Sequence, residues 1–192
     1  MAIVAAVSVA VMLVPRFIAQ TTAGPIGGPF KLIDSDSRIR TDRDFRGKWL
    51  LIYFGYTHCP DICPTTLADI GETLKLLGPL ATNIRPIFIT IDPERDTPEA
   101  VRAFLNNFDD RIMGLSGSPA EIAAVAHEYK VFYARSKIAS ADPNSYFMEH
   151  TAFVYVVNPD GKYVTLFSPI QGQTADAMAA RLRTLMMTAD SK

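Results

Sequence analysis

Apolar and polar positions follow two rhythms along this chain. Trp49–Phe54 (WLLIYF), Pro86–Ile91 (PIFITI) and Ala152–Val157 (AFVYVV) are continuous apolar runs, the pattern of strands buried on both faces. Ile112–Leu115 predicts a shorter strand. Phe30–Asp34 and Ser37–Thr41 predict a hairpin across Asp-Ser-Asp, and Tyr163–Phe167 pairs back across the turn Asn158-Pro159-Asp160-Gly161. Between these runs lie helical stretches. Pro64–Leu77 is amphipathic and stops at Gly78-Pro79. Asp96-Thr97-Pro98-Glu99 opens a second helix, with Asp96 as capping residue, that runs to about Phe108. Ser118-Pro119-Ala120-Glu121 is a capping box for a third, ending at Tyr129. Thr174 caps the last, to about Thr188. Val131–Ala134 reads as a strand or strand edge, and Arg135–Met148, with Pro143, as a mobile polar loop.

The order is strand, helix, strand, helix, strand, helix, hairpin, helix. Such alternation predicts a mostly parallel sheet covered on both faces. The closing antiparallel hairpin and final helix make a thioredoxin-like α/β sandwich the best fit, with a further N-terminal hairpin.

Residues 1–19 break both rhythms. Met1–Val14 is apolar except for Ser8, and Pro15-Arg16 follow. As a helix that run covers about 21 Å against a hydrocarbon core of about 30 Å. Extended through Ala19 it spans marginally, with Arg16 reaching toward one face. It reads as a membrane anchor, or as a signal-like segment without a basic n-region. Either sends the body out of the cytosol. Residues 20–29, with TTAGPIGGP, read as a flexible linker, and residues 30–192 as the folded domain.

Composition narrows the function. The chain has 192 residues, 48% hydrophobic and 20% charged, with net charge −1. That excludes a disordered chain and a nucleic-acid binder built on a positive field. A domain of this size buries about 70% of its unfolded surface and needs no disulfide staple. Only two cysteines occur, Cys59 and Cys63, so neither a disulfide scaffold nor a four-cysteine zinc module is possible.

Those cysteines lie where a buried strand passes into a helix, in Tyr56-Thr57-His58-Cys59-Pro60-Asp61-Ile62-Cys63-Pro64. N–H groups at a helix start favour a thiolate. Redox pairs are usually spaced C-x-x-C, but three residues intervene here. On a regular helix Cβ atoms at i and i+4 lie about 5–6 Å apart, whereas a disulfide needs about 3.5–4.5 Å. A metal held between two thiolates tolerates more. The spacing leans toward metal, while Pro64 leaves room for residues 59–63 to bend and close a disulfide. Tyr56 and Pro60 stand three residues before each cysteine, where a peroxidatic site carries threonine, so peroxidase chemistry is disfavoured.

Two thiolates want a third ligand. His127 sits off the Ile122/Val125/Ala126/Tyr129 stripe and reads as exposed, and His58 reads as pointing away from its neighbour Cys59. His150 precedes the Ala152–Val157 strand after a loop long enough to fold over the sheet end. Two soft thiolates and an imidazole suit Cu(I), and also Cu(II) or zinc. Asp92 and Asp96 share that sheet edge, but read better as a turn and a helix cap.

The chain resembles the Sco/SenC family, copper chaperones for cytochrome c oxidase assembly. The matching residues are Y-T-x-C-P-D-I-C-P at 56–64, I-D-P-E-R-D-T-P at 91–98, G-L-S-G-S-P at 114–119, Val131-Phe132-Tyr133, E-H-T at 149–151 and N-P-D-G-K at 158–162. The resemblance covers about residues 30–188. It implies a thioredoxin-like fold, one N-terminal anchor in the membrane, and copper on Cys59, Cys63 and His150. It further implies a soluble domain in an oxidising compartment, the bacterial periplasm. There it would take copper from an upstream donor and deliver it to the dinuclear copper site of cytochrome c oxidase subunit II. An alternative is a thiol-disulfide oxidoreductase, with Cys59 and Cys63 as the redox pair, that reduces the subunit II cysteines. His150 discriminates, because a pure reductase needs no imidazole.

Overall fold

The computed structural model describes residues 25–136, 146–169, 172 and 174–189. The expected anchor over 1–19 lies outside the described residues. None of the described helices is long and apolar enough to cross a membrane.

Nine strands and four α-helices are present among the described residues. They are β1 (Lys31–Asp34), β2 (Ile39–Thr41), β3 (Trp49–Gly55), α1 (Ile62–Leu77), β4 (Ile84–Thr90), α2 (Pro98–Leu105), β5 (Met113–Ser116), α3 (Pro119–Glu128), β6 (Tyr133–Arg135), β7 (Met148–His150), β8 (Val154–Val157), β9 (Tyr163–Phe167) and α4 (Ala175–Ala189). Seven strands form one sheet in the order β2-β1-β5-β4-β3-β8-β9. The pairs β3–β4 and β4–β5 are parallel, while β3–β8, β8–β9, β1–β5 and β1–β2 are antiparallel. This is the thioredoxin-like sandwich predicted from the element order.

Every residue of β3 is buried, as its unbroken apolar run requires of a central strand covered on both faces. The inner face of α1 carries Leu67, Ile70, Leu74 and Leu77, and α1 packs against α4, which buries Met178, Ala179, Leu182 and Met186. β3 has the parallel β4 on one side and the antiparallel β8 on the other. Open α/β sheets place ligands beyond the carboxyl end of such a strand.

Three expectations change. First, the body makes its first contacts before Phe30. Ile26 packs on the core, and the Gly27 N–H donates to the Glu128 carbonyl at 2.8 Å. The flexible stretch expected over 20–29 therefore does not extend through these residues, and 20–24 lie outside the described ones. Second, α1 begins at Ile62 rather than at Pro64, with Cys59 in the preceding turn and Cys63 in its first turn. Third, the expected polar loop Arg135–Met148 is bounded by strands. Tyr133–Arg135 pairs antiparallel with Met148–His150 in a two-stranded ribbon, with Tyr133 opposite His150. Residues 137–145 of that loop lie outside the described residues.

Candidate metal centre

The cysteine turn leaves the end of β3. Gly55 closes that strand, and a Cβ built there would lie 2.9 Å from Cys63 Sγ and 2.9 Å from the Phe88 ring. Only a residue without a side chain lets the thiol come so close to the strand. Sequence reasoning did not single out Gly55. The only local sign was a glycine ending an apolar run just ahead of the cysteines.

At the helix start, the Cys63 N–H points at Cys59 Sγ over 3.4 Å. The Asp61 N–H donates to the same sulfur. Cys59 thus occupies the place of a capping acceptor, where the helix dipole favours negative charge. Cys63 is fully buried, with the Tyr53 hydroxyl 3.5 Å from its sulfur. Both cysteines are free thiols.

The pair titrates unequally. Hydrogen bonding from the Cys63 thiol, helped by His150 and the two N–H groups, holds Cys59 down to about 4 against the opposing effect of burial. The hydrogen bond to Cys59, then burial, push Cys63 upward, with the charge on Cys59 adding to both. Cys59 is therefore the thiolate of the metal-free pair and Cys63 its proton donor. Alkylation of the reduced protein should reach Cys59 first. Because the depressed group stays ionised until pH falls to about 4, the rate should be nearly flat between about pH 8 and about pH 5. A rate falling tenfold per unit below about pH 8, as for an ordinary thiol, would contradict this reading.

His150 arrives from the other side. Its backbone belongs to the β6–β7 ribbon, closed by the Thr151 N–H donating to the Phe132 carbonyl at 2.9 Å. Its ring stands edge-on to Tyr53 and to Tyr56, with centroids 6.3 and 5.9 Å away. Nδ1 is 3.1 Å from the Thr151 carbonyl oxygen. A carbonyl only accepts, so Nδ1 carries a hydrogen, and Nε2 is the ring nitrogen that faces the sulfurs. Nε2 lies 3.8 Å from Cys63 Sγ, across 87 positions of sequence.

The donor atoms of Cys59, Cys63 and His150 all lie within 4.8 Å of one another. With bonds of about 2.3 Å to sulfur and about 2.0 Å to nitrogen, a trigonal ion would hold an S···N pair about 3.7 Å apart. The 3.8 Å separation of Cys63 Sγ and Nε2 fits that closely. Two soft sulfurs and one imidazole, with no fourth donor in the group among the described residues, suit a three-coordinate soft ion better than structural zinc.

The other candidates fall elsewhere. His127 is exposed on α3, as expected. His58 is mostly exposed, with Nδ1 3.0 Å from Thr57 Oγ1. Asp96 is not the cap of α2. Thr97 is, accepting from the Ala100 N–H at 3.3 Å. Fully buried, Asp96 instead accepts from the Thr57 N–H at 2.9 Å and the Thr57 and Thr90 hydroxyls at 2.6 Å each. It ties the turn before Cys59 to the end of β4. Asp92 holds Arg95 and the Tyr146 hydroxyl. Neither carboxylate joins the Cys–Cys–His group.

The SCO1/SenC family model matches residues 18–187. The chain belongs to the SCO1/SenC family. An SCO2-like protein of Rickettsia felis is 43% identical over 142 residues, 74% of this chain and 69% of that one. The human mitochondrial SCO1 homolog is 37% identical over 162 residues, 82% of this chain and 53% of that protein. The chain thus spans about half the length of this human relative. Among solved family members, Bradyrhizobium japonicum ScoI with copper bound is 44% identical, with a TM-score of 0.75 over 83% of this chain and 98% of that one. Yeast Sco1 with copper bound is 30% identical, with a TM-score of 0.76 over 84% and 88%.

Proposed function

We propose that this family member binds one copper ion through Cys59 Sγ, Cys63 Sγ and His150 Nε2, and works as a copper metallochaperone. Its acceptor is the dinuclear copper site of cytochrome c oxidase subunit II, and it receives copper from an upstream donor. The body stands outside the cytoplasm, in the periplasm, tethered by residues 1–19. The observation that carries the reading is the convergence of two sulfurs and one imidazole nitrogen, from separate arms, within 4.8 Å. The copper-bound relatives support copper as the ion.

The arrangement suits transfer. Three donors leave a copper ion open to an incoming thiolate or imidazole, so ligand exchange can proceed without free ion. His150 is partly exposed and comes from a separate ribbon, so it can leave first. Tyr53 and the Asp61 and Cys63 N–H groups stabilise the sulfurs meanwhile.

One observation favours the second reading, a thiol-disulfide oxidoreductase acting on the subunit II cysteines. The low-pKa Cys59 thiolate beside a protonated Cys63 is what dithiol exchange requires. The two readings are compatible, but they diverge at His150.

The test is copper loading against redox state. The reduced protein should take up one copper per chain. Joining Cys59 to Cys63 in a disulfide consumes both thiolates, so the oxidised protein should take up none until reduced. Equal loading of the two forms would contradict the proposed ligand set.

A further inference from the structure

His150 belongs to a two-stranded ribbon that, among the described residues, stands apart from the seven-stranded sheet. Something other than the main ladder must set its distance from the thiols. The turn after β4 reaches both arms of the site. Through Asp96 it grips Thr57, two residues before Cys59. Through Asp92 and Arg95 it grips Tyr146, four residues before His150.

The grip on Tyr146 has several parts. Its hydroxyl donates to Asp92 Oδ1 at 2.8 Å, and its carbonyl accepts from Arg95 Nη1 at 3.0 Å. Arg95 Nε donates to Asp92 Oδ2 at 2.5 Å, which squares the two side chains to the ring. The Arg95 and Arg135 guanidinium carbons lie 3.6 and 4.1 Å from the ring centroid. Arg135 also pairs with Glu94 of the same turn. Beyond Tyr146, the Ser136 N–H donates to the Phe147 carbonyl at 2.8 Å, and the Met148 N–H donates to the Tyr56 hydroxyl. A tyrosine held at its hydroxyl, its carbonyl and its ring is fixed in place, and the strand that follows it inherits that position.

We infer that Tyr146 is a positioning residue for His150. Clamped by Asp92, Arg95 and Arg135, it holds the β7 arm against the cysteine turn and sets how readily the imidazole leaves the metal. The clamp and the cysteine turn share one bracket, residues 92–96, so the donors are pre-assembled and only the His150 arm need move for release. The copper readout below rests on the proposed function; the exchange readout does not.

The test uses the full chain in mild detergent, comparing wild type with Tyr146→Phe and Asp92→Asn. Phenylalanine keeps the stacked ring and deletes the hydroxyl, with its bond to Asp92 at 2.8 Å and the longer one it accepts from Arg135 Nη2 at 3.4 Å. Amide hydrogen exchange in the metal-free protein should quicken in residues 146–151, on the order of tenfold for loss of one charge-assisted bond, and stay unchanged in β3. Cu(II) release to a chelator should quicken by a similar factor, with Cys59 alkylation unaltered. Unchanged exchange over 146–151 in Tyr146→Phe would overturn the clamp. Faster exchange spread equally through β3 would reduce it to a general stability effect and overturn the positioning role, as would faster local exchange with unaltered Cu(II) release. If Asp92→Asn does not fold, Tyr146→Phe decides alone. If wild type binds no copper, the proposed function fails and the exchange arm still decides the clamp.

Discussion

His150→Ala is expected to lose Cu(II) binding by about a hundredfold or more while keeping Cu(I) binding and disulfide formation. Cu(II) is a borderline ion that needs nitrogen or oxygen donors beside sulfur, and His150 supplies the one nitrogen of the group. Loss of even an indirect partner of a ligand costs roughly 10- to 100-fold, and that range is a lower bound on the cost of losing the ligand itself. Cu(I) accepts two thiolates in a line, and the pair Cys59 and Cys63 survives in the variant. The fold should survive too, because His150 is half-buried at the end of a short ribbon and carries little of the core. Competition titrations with chelators for each oxidation state check this. A variant that holds Cu(II) as tightly as wild type would show that another residue completes the site.

The second large effect concerns the sulfurs. Cys59→Ala and Cys63→Ala should each abolish tight copper binding in both oxidation states, since one thiolate and one imidazole cannot satisfy a soft ion. Their structural costs should differ modestly. Cys63 is fully buried against Gly55 and Tyr53, so its loss leaves a small void costing about 1 kcal/mol. Cys59 accepts the N–H groups of Asp61 and Cys63, so its loss costs about as much as a helix cap. For a chain of this length, either lowers Tm by roughly 2–4 °C. Circular dichroism and calorimetry should therefore report a folded protein beside an empty site. Near-stoichiometric copper in either variant would refute the two-thiolate centre.

What could be read from the sequence follows from burial. Trp49–Phe54, Pro86–Ile91 and Ala152–Val157 announce themselves because strands covered on both faces have no polar alternation to lose. Met148-Glu149-His150 gives no such signal. Three residues carry no period, and their strand exists because Tyr133–Arg135 lies opposite. Asp96 was legible only as a cap, for its local setting suits one. Its actual partners, Thr57 and Thr90, lie 39 and 6 positions away, and Thr97 is free to cap α2. Gly55 stayed hidden because its meaning depends on where the Cys63 sulfur comes to rest. The chemistry of Cys59, Cys63 and His150 as two thiolates and an imidazole was readable from residue type alone. Their meeting was expected from the fold class, the loop before Ala152–Val157 and the family resemblance, not from any local pattern, since 87 positions separate Cys63 from His150 and the β6–β7 ribbon spans that gap.

The most direct measurement is the rate at which copper-loaded protein metallates the dinuclear site of reduced cytochrome c oxidase subunit II, wild type against His150→Ala. Because the subunit II cysteines start reduced, no disulfide reductase is needed, and only copper delivery is read. Wild type should metallate the site, and His150→Ala should do so more slowly by on the order of a hundredfold, following its lost Cu(II) binding. Metallation by His150→Ala at the wild-type rate would contradict the chaperone account and leave the cysteine pair to its redox chemistry.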